Sequence, residues 1–351
     1  MDTYSVDRAE LSALNKKRAL VAMCKASALL ITVTLLSELT VFLVLLLFDK
    51  FGMEIQHMLS GVLAFFGADP SSARVSARLV MDSEGFSTVI SMLNTFITLV
   101  IPAYIFSRVE KISCNESFDI GGRLVESIIP VFCLCHLLTT FASSFSGMIG
   151  DFVLPDASKV YASAGVMAHE FNVYEFAISI LCTGIFIPIV EEYVFRGVIF
   201  SYLRRYGLAF GVVASAVIFG VAHASPTQSV YAFVFGVFSA LVMAVTGNIK
   251  TSILFHAGNN LTTIFLGYLL GGTDAKTFNI ISSVYLLVVS AIGIYGIYAF
   301  CKKDGIAEAF RVKTEENDGG LCNKNGMKQL FVLPLALYIV YYVYNVFLMV
   351  M

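Results

Sequence analysis

Apolar segments long enough to cross a bilayer recur about nine times along this chain, and no other feature restricts its fold as strongly. Backbone polar groups inside hydrocarbon find no water, so each run must satisfy its own hydrogen bonds, which a helix does. Roughly 17–25 residues suffice for one crossing. The runs lie near 27–48, 86–107, 125–149, 173–203, 208–224, 229–246, 251–271, 279–301 and 329–350. Composition agrees: 14% of residues are charged and mean hydropathy is +0.81, against about 25% charged for a soluble domain. The expected fold is all-α, a polytopic membrane helix bundle of eight or nine transmembrane helices. Its amino-terminal spans occupy 1–124, a central core 125–301, and a linker with the last span 302–351.

The fourth run is too long for one straight span, and Pro188 is expected to break or kink it. Between the first two runs, Ile55, Met58, Leu59, Val62, Leu63 and Phe66 recur at helical spacing, which predicts an interfacial amphipathic helix. The first apolar run is longer than a signal-peptide core, so it reads as a retained helix. Lys and Arg concentrate in the amino terminus and in the second, fourth, sixth and eighth loops. That bias puts the amino terminus and the 302–328 linker in the cytoplasm and, with nine spans, the carboxyl terminus outside. Net charge is -2, which argues against a nucleic-acid partner. Seven scattered cysteines suggest no disulfide framework. No internal repeat and no appended soluble domain is visible.

Ionisable residues inside spans are functional candidates by default. The densest set is "EEYVFRG", residues 191–197. Glu192 and Arg196 stand four apart, share a helix face and can neutralise each other. Glu191 is displaced by about 100° and left for another task. A structural ion-pair network would read the same way. The next span ends "SAVIFGVAHAS", with Phe219 four residues before His223. In "FHAGNN", His256 and Asn260 share a face. Either histidine could instead bridge helices. At about 1.5 Å per residue, Glu191 and His223 lie roughly 20 and 27 Å from the Arg204–Arg205 turn, and Asn260 roughly 15 Å beyond Lys250. The four converge only if a loop dips or a span tilts.

"EEYVFRG", "FGVAH" and "HAGNN" match EExxxR, FxxxH and HxxxN in order and approximate spacing. Over roughly 125–300 the chain resembles the CAAX-protease and bacteriocin-processing (Abi) family of intramembrane endopeptidases. The resemblance implies that Glu191 and His223 activate a water and that His256 and Asn260 stabilise an oxyanion. Glu192 and Arg196 would then support the catalytic helix, with Gly197 allowing close packing behind it. It also implies a peptide or protein substrate, with membrane lipid as the surrounding partner and a bacterial cell membrane as the setting. The expected chemistry needs no cofactor. The alternative is zinc, with Glu191, His223 and His256 as ligands.

Other polar residues carry less. "HEFNV" at His169 is not HExxH, because Val173 fills the last place. "CLCH", Cys133 to His136, suggests a metal site, but Cys133 and Cys135 flank one leucine and do not share a helix face. Glu38 suits an interhelical pair or a cavity wall, and Glu126 lies near a span end. A non-catalytic membrane partner, such as an immunity protein on the same scaffold, is opposed by the intact motif set. A transporter is opposed by the lack of a repeat.

Overall fold

The computed structural model describes residues 8–65, 84–112, 122–153, 172–223 and 226–317, with isolated positions between 69 and 81 and between 335 and 340. Among the described residues it is helical throughout, with no strand. We number the helices α1 (Arg8–Phe65), α2 (84–109), α3 (Gly122–Val153), α4 (173–206), α5 (Leu208–Ala222), α6 (Pro226–Thr246), α7 (Ile249–Leu270), α8 (Ala275–Cys301) and α9 (Ile306–Asn317). Seven of these stretches are long and apolar enough to cross a membrane, and α5 is a shorter apolar helix. The chain is a multi-pass membrane protein. The ninth expected span, near 329–350, lies almost wholly outside the described residues.

Three local expectations need correction. The predicted amphipathic segment is not a separate helix; it continues α1, which runs unbroken for 58 residues, about 87 Å at 1.5 Å per residue. Ala19, Ala22, Met23, Ala26, Leu29, Leu30 and Val33 bury one stripe of α1 against the bundle, and beyond them its apolar side chains are largely exposed. The helical spacing of Ile55 to Val62 is real, but a continuing helix satisfies it as well as an isolated one. Pro188, second, does not break α4. It sits at the start of an α-helical stretch, Ile187–Glu192, directly after a π-helical stretch, Ile180–Phe186. The missing proline N–H falls where the hydrogen-bond register changes, so no ladder bond has to be lost. Third, the 302–328 linker contains α9, whose Ile306 is buried while Ala309 and Phe310 pack on the core.

Helices α3, α6 and α8 form one packed group, and α5 lies antiparallel to α6. Small residues set these approaches. A Cβ on Gly296 would collide with the Pro130 carbonyl oxygen and stand 2.9 Å from Leu134 Cβ. One on Gly220 would meet the Ser229 carbonyl oxygen at 2.7 Å. At one end of the bundle, Lys25 pairs with Glu110 at 2.6 Å, and Arg205 donates to the carbonyls of Glu110 and Lys111. The start of α1, the end of α2 and the end of α4 therefore share that end.

The helix contacts predict opposite signs for one substitution at two sites. Gly296→Ala forces α8 off α3 and should destabilise by about 1–3 kcal/mol through overpacking. Gly52, on the exposed stretch of α1, has nothing within 4 Å of an added Cβ. Gly52→Ala should stabilise by up to about 1 kcal/mol through helix propensity. Thermal unfolding in detergent micelles reads both; a Gly296→Ala protein as stable as wild type would refute the tight α3–α8 seam.

Candidate active site

Helix α4 presents the two glutamates between two π-helical stretches, Ile180–Phe186 and Tyr193–Phe200. Such wide turns inside α-helices occur often at functional sites. Glu192 is completely buried. Its Oε1 lies 3.1 Å from Arg196 Nη1 and accepts from His256 Nδ1 at 2.9 Å. Its Oε2 accepts from Ser239 Oγ at 2.8 Å. The carboxylate thus has partners on its own helix, on α6 and on α7. Arg196 is equally buried; it donates to the Gly236 carbonyl and lies over the Phe219 ring, 4.4 Å from its centroid. This cation–π contact adds to the ion pair in a desolvated setting. Gly197 is buried on the same helix.

Glu191 faces the other way and keeps some exposure, 17% of its side chain. Its Oε2 is 3.8 Å from His256 Nε2. His256 therefore bridges the two acids, bonded to Glu192 through Nδ1 and near Glu191 through Nε2. Because a carboxylate accepts, Nδ1 carries a hydrogen. His223 caps the carboxyl end of α5, and its Nδ1 lies 2.9 Å from the Phe219 carbonyl oxygen. A carbonyl only accepts, so Nδ1 is again the donor, and in the neutral ring Nε2 presents a lone pair. Phe219 thus serves twice, with its ring under Arg196 and its carbonyl holding His223. Asn260 donates one amide hydrogen to the Thr183 carbonyl, 2.9 Å away in the first π stretch.

Glu191, His223, His256 and Asn260 line one cavity of about 280 Å³, together with Thr183, Ile187, Phe219, Gln228, Tyr231, Phe235, Thr263 and Ile264. The convergence that the sequence required comes from α5. Its 15 residues rise only about 22 Å, and His223 at its end lines the same cavity as His256. Glu192 and Arg196 do not line the cavity; they stand behind it. Glu38 does not line it either. Glu126 and His169 have side chains outside the described residues.

Sequence reasoning missed Ser239, Asn259, Tyr231 and Gln228, which share no motif spacing. It also set aside His136. That ring lies in contact with Asn259 and Tyr285, and Asn259 reaches Tyr231 on the cavity wall. Among the described residues, no three His, Cys, Asp or Glu side chains are disposed to hold a metal ion. Bonding of His256 Nδ1 to Glu192 leaves Nε2 turned toward Glu191, an arrangement that histidine ligands of metals also adopt.

Removing one member of the buried pair should cost more than removing its hydrogen-bond donor. Glu192→Ala strands Arg196 in the core, an expected loss of about 3–5 kcal/mol. Ser239→Ala removes one hydrogen bond to a charged group, about 1.5–3 kcal/mol. Unfolding in detergent should rank them in that order; equal stability of Glu192→Ala and wild type would show that the pair is not buried.

No curated protein and no solved structure matches the chain. Residues 174–262 match the Rce1-like family model, described as type II CAAX prenyl endopeptidase Rce1-like. The match runs from the start of α4 to just beyond Asn260 and so contains all three motifs and every motif residue of the cavity. Over this segment the chain is similar to the Rce1-like family.

Proposed function

We propose that this chain is an intramembrane endopeptidase that hydrolyses a peptide bond in a prenylated protein, a leader peptide or another membrane-associated peptide, using a water activated by Glu191 and His223 without a metal ion. The observation that carries this reading is the convergence of Glu191, His223, His256 and Asn260 on one cavity inside the matched segment.

The proton inventory gives each group a task. His223 spends its Nδ1 hydrogen on Phe219, so Nε2 accepts one hydrogen of the water and orients it. Glu191 takes the other hydrogen as the water oxygen attacks the carbonyl carbon. The carbonyl π electrons move to oxygen. Asn260 has a second amide hydrogen for that oxyanion, since only one is used by Thr183. His256 donates from Nε2 once its ring holds a second proton, and the carboxylates of Glu192 and Glu191 on either side balance that charge. Collapse of the intermediate breaks the C–N bond, and the leaving nitrogen takes the proton from Glu191. Water and peptide are consumed; a carboxylic acid and an amine are released, and the acid gives its proton to solvent.

Three outcomes test this. Glu191→Ala should abolish cleavage of a fluorogenic prenylated CAAX peptide while leaving the unfolding temperature near that of wild type. Asn260→Ala should lower kcat by about 10²–10³ with KM nearly unchanged, as for loss of one oxyanion donor. Activity should survive exhaustive chelation. A preparation that dies on chelation and recovers only with added metal would replace the proposed water activation with metal chemistry.

A further inference from the structure

Behind the cavity a second polar chain crosses four helices and ends on its wall. It runs from Tyr285 on α8 to His136 on α3, Asn259 on α7 and Tyr231 on α6. His136 and Asn259 are buried, and Tyr231 lines the cavity with Glu191, His223, His256 and Asn260. A chain of buried polar groups is costly unless every member is satisfied, and these four satisfy one another. The reaction assigned above uses none of them.

The direction of donation along this chain follows from one fixed point. The Thr183 carbonyl can only accept, so the atom of Asn260 facing it, 2.9 Å away, is Nδ2. The Oδ1 of Asn260 then faces Asn259, whose approaching atom at 3.5 Å is Nδ2. That leaves Asn259 Oδ1 toward His136, which lies 3.0 Å from it through Nδ1. His136 must therefore carry its hydrogen on Nδ1 and accept on Nε2, and the donor to Nε2 is the Tyr285 hydroxyl. At the other end, Asn259 Nδ2 donates to the Tyr231 oxygen. Every hydrogen bond thus points the same way, from Tyr285 toward the cavity. The Tyr231 oxygen is already an acceptor, which leaves its own hydrogen for another partner, and the residue stands on the cavity wall.

We infer that Tyr231 is a further hydrogen-bond donor to the reacting carbonyl oxygen, acting beside Asn260, and that Asn259, His136 and Tyr285 are positioning residues that orient and polarise its hydroxyl. This rests on the endopeptidase reading. Aligned hydrogen bonds polarise one another, so a phenol at the end of such a chain is a stronger donor than an isolated one. A neutral hydroxyl also complements His256: it donates whatever the protonation state of the imidazole ring. The adjacent asparagines divide the work, Asn260 facing the cavity and Asn259 the relay.

The test uses the full-length protein in detergent and the fluorogenic prenylated CAAX peptide. Tyr231→Phe keeps the ring and should lower kcat by about 10²-fold, with KM little changed. Tyr285→Phe, at the far end, should lower kcat by a smaller factor in the wild-type background and by none in the Tyr231→Phe background, because its effect passes through Tyr231. Additive effects, or wild-type kcat in Tyr231→Phe while Glu191→Ala is dead, would overturn the inference and leave the endopeptidase reading standing. Absence of cleavage by wild type would remove that reading and this one with it. The relay itself is read without turnover from the ring ¹⁵N shifts of His136. Protonation on Nδ1 is expected; protonation on Nε2 would reverse the chain and overturn the inference.

Discussion

The Glu192 carboxylate, without any exposed surface, is the constraint around which the central helices are arranged. An ion taken out of water must be met by counter-charge and hydrogen-bond donors, or it is expelled. Arg196 supplies the charge from one turn away, Ser239 a hydroxyl from α6, and His256 a ring N–H from α7. Three helices are thereby referenced to one group, and Phe219 brings in α5 through the guanidinium. Apolar packing alone would allow these helices to slide in a solvent as apolar as their own side chains. The buried carboxylate makes sliding expensive. It also fixes which nitrogen of His256 faces the cavity.

What could be read from the sequence was what lies within one helix. Glu192 with Arg196, Phe219 with His223 and His256 with Asn260 are all four apart, and the helical period places each pair on one face. The partners from other helices could not be read. Ser239, Tyr231, Tyr285 and Asn259 sit in apolar runs where such residues are common, and no periodicity joins α3 to α8 or α6 to α7. His136 has cysteines as its neighbours in sequence, while its contacts, Asn259 and Tyr285, are on distant helices. The π-helical turns flanking the glutamates have no composition of their own, so in the sequence Pro188 reads as a break or kink. The long α1 read as two elements because its length exceeds a single crossing and nothing local marks its continuation.

The brevity of α5 is possible because other helices, not lipid, surround it. A helix rising about 22 Å cannot match a hydrocarbon core about 30 Å thick. Its neighbour α6, at 21 residues, rises about 31 Å and can. None of the residues from Leu208 to Ala222 is exposed, so α5 has no face on which such a mismatch would be felt. The shortfall is absorbed inside the protein, where α5 ends at His223 on the cavity wall.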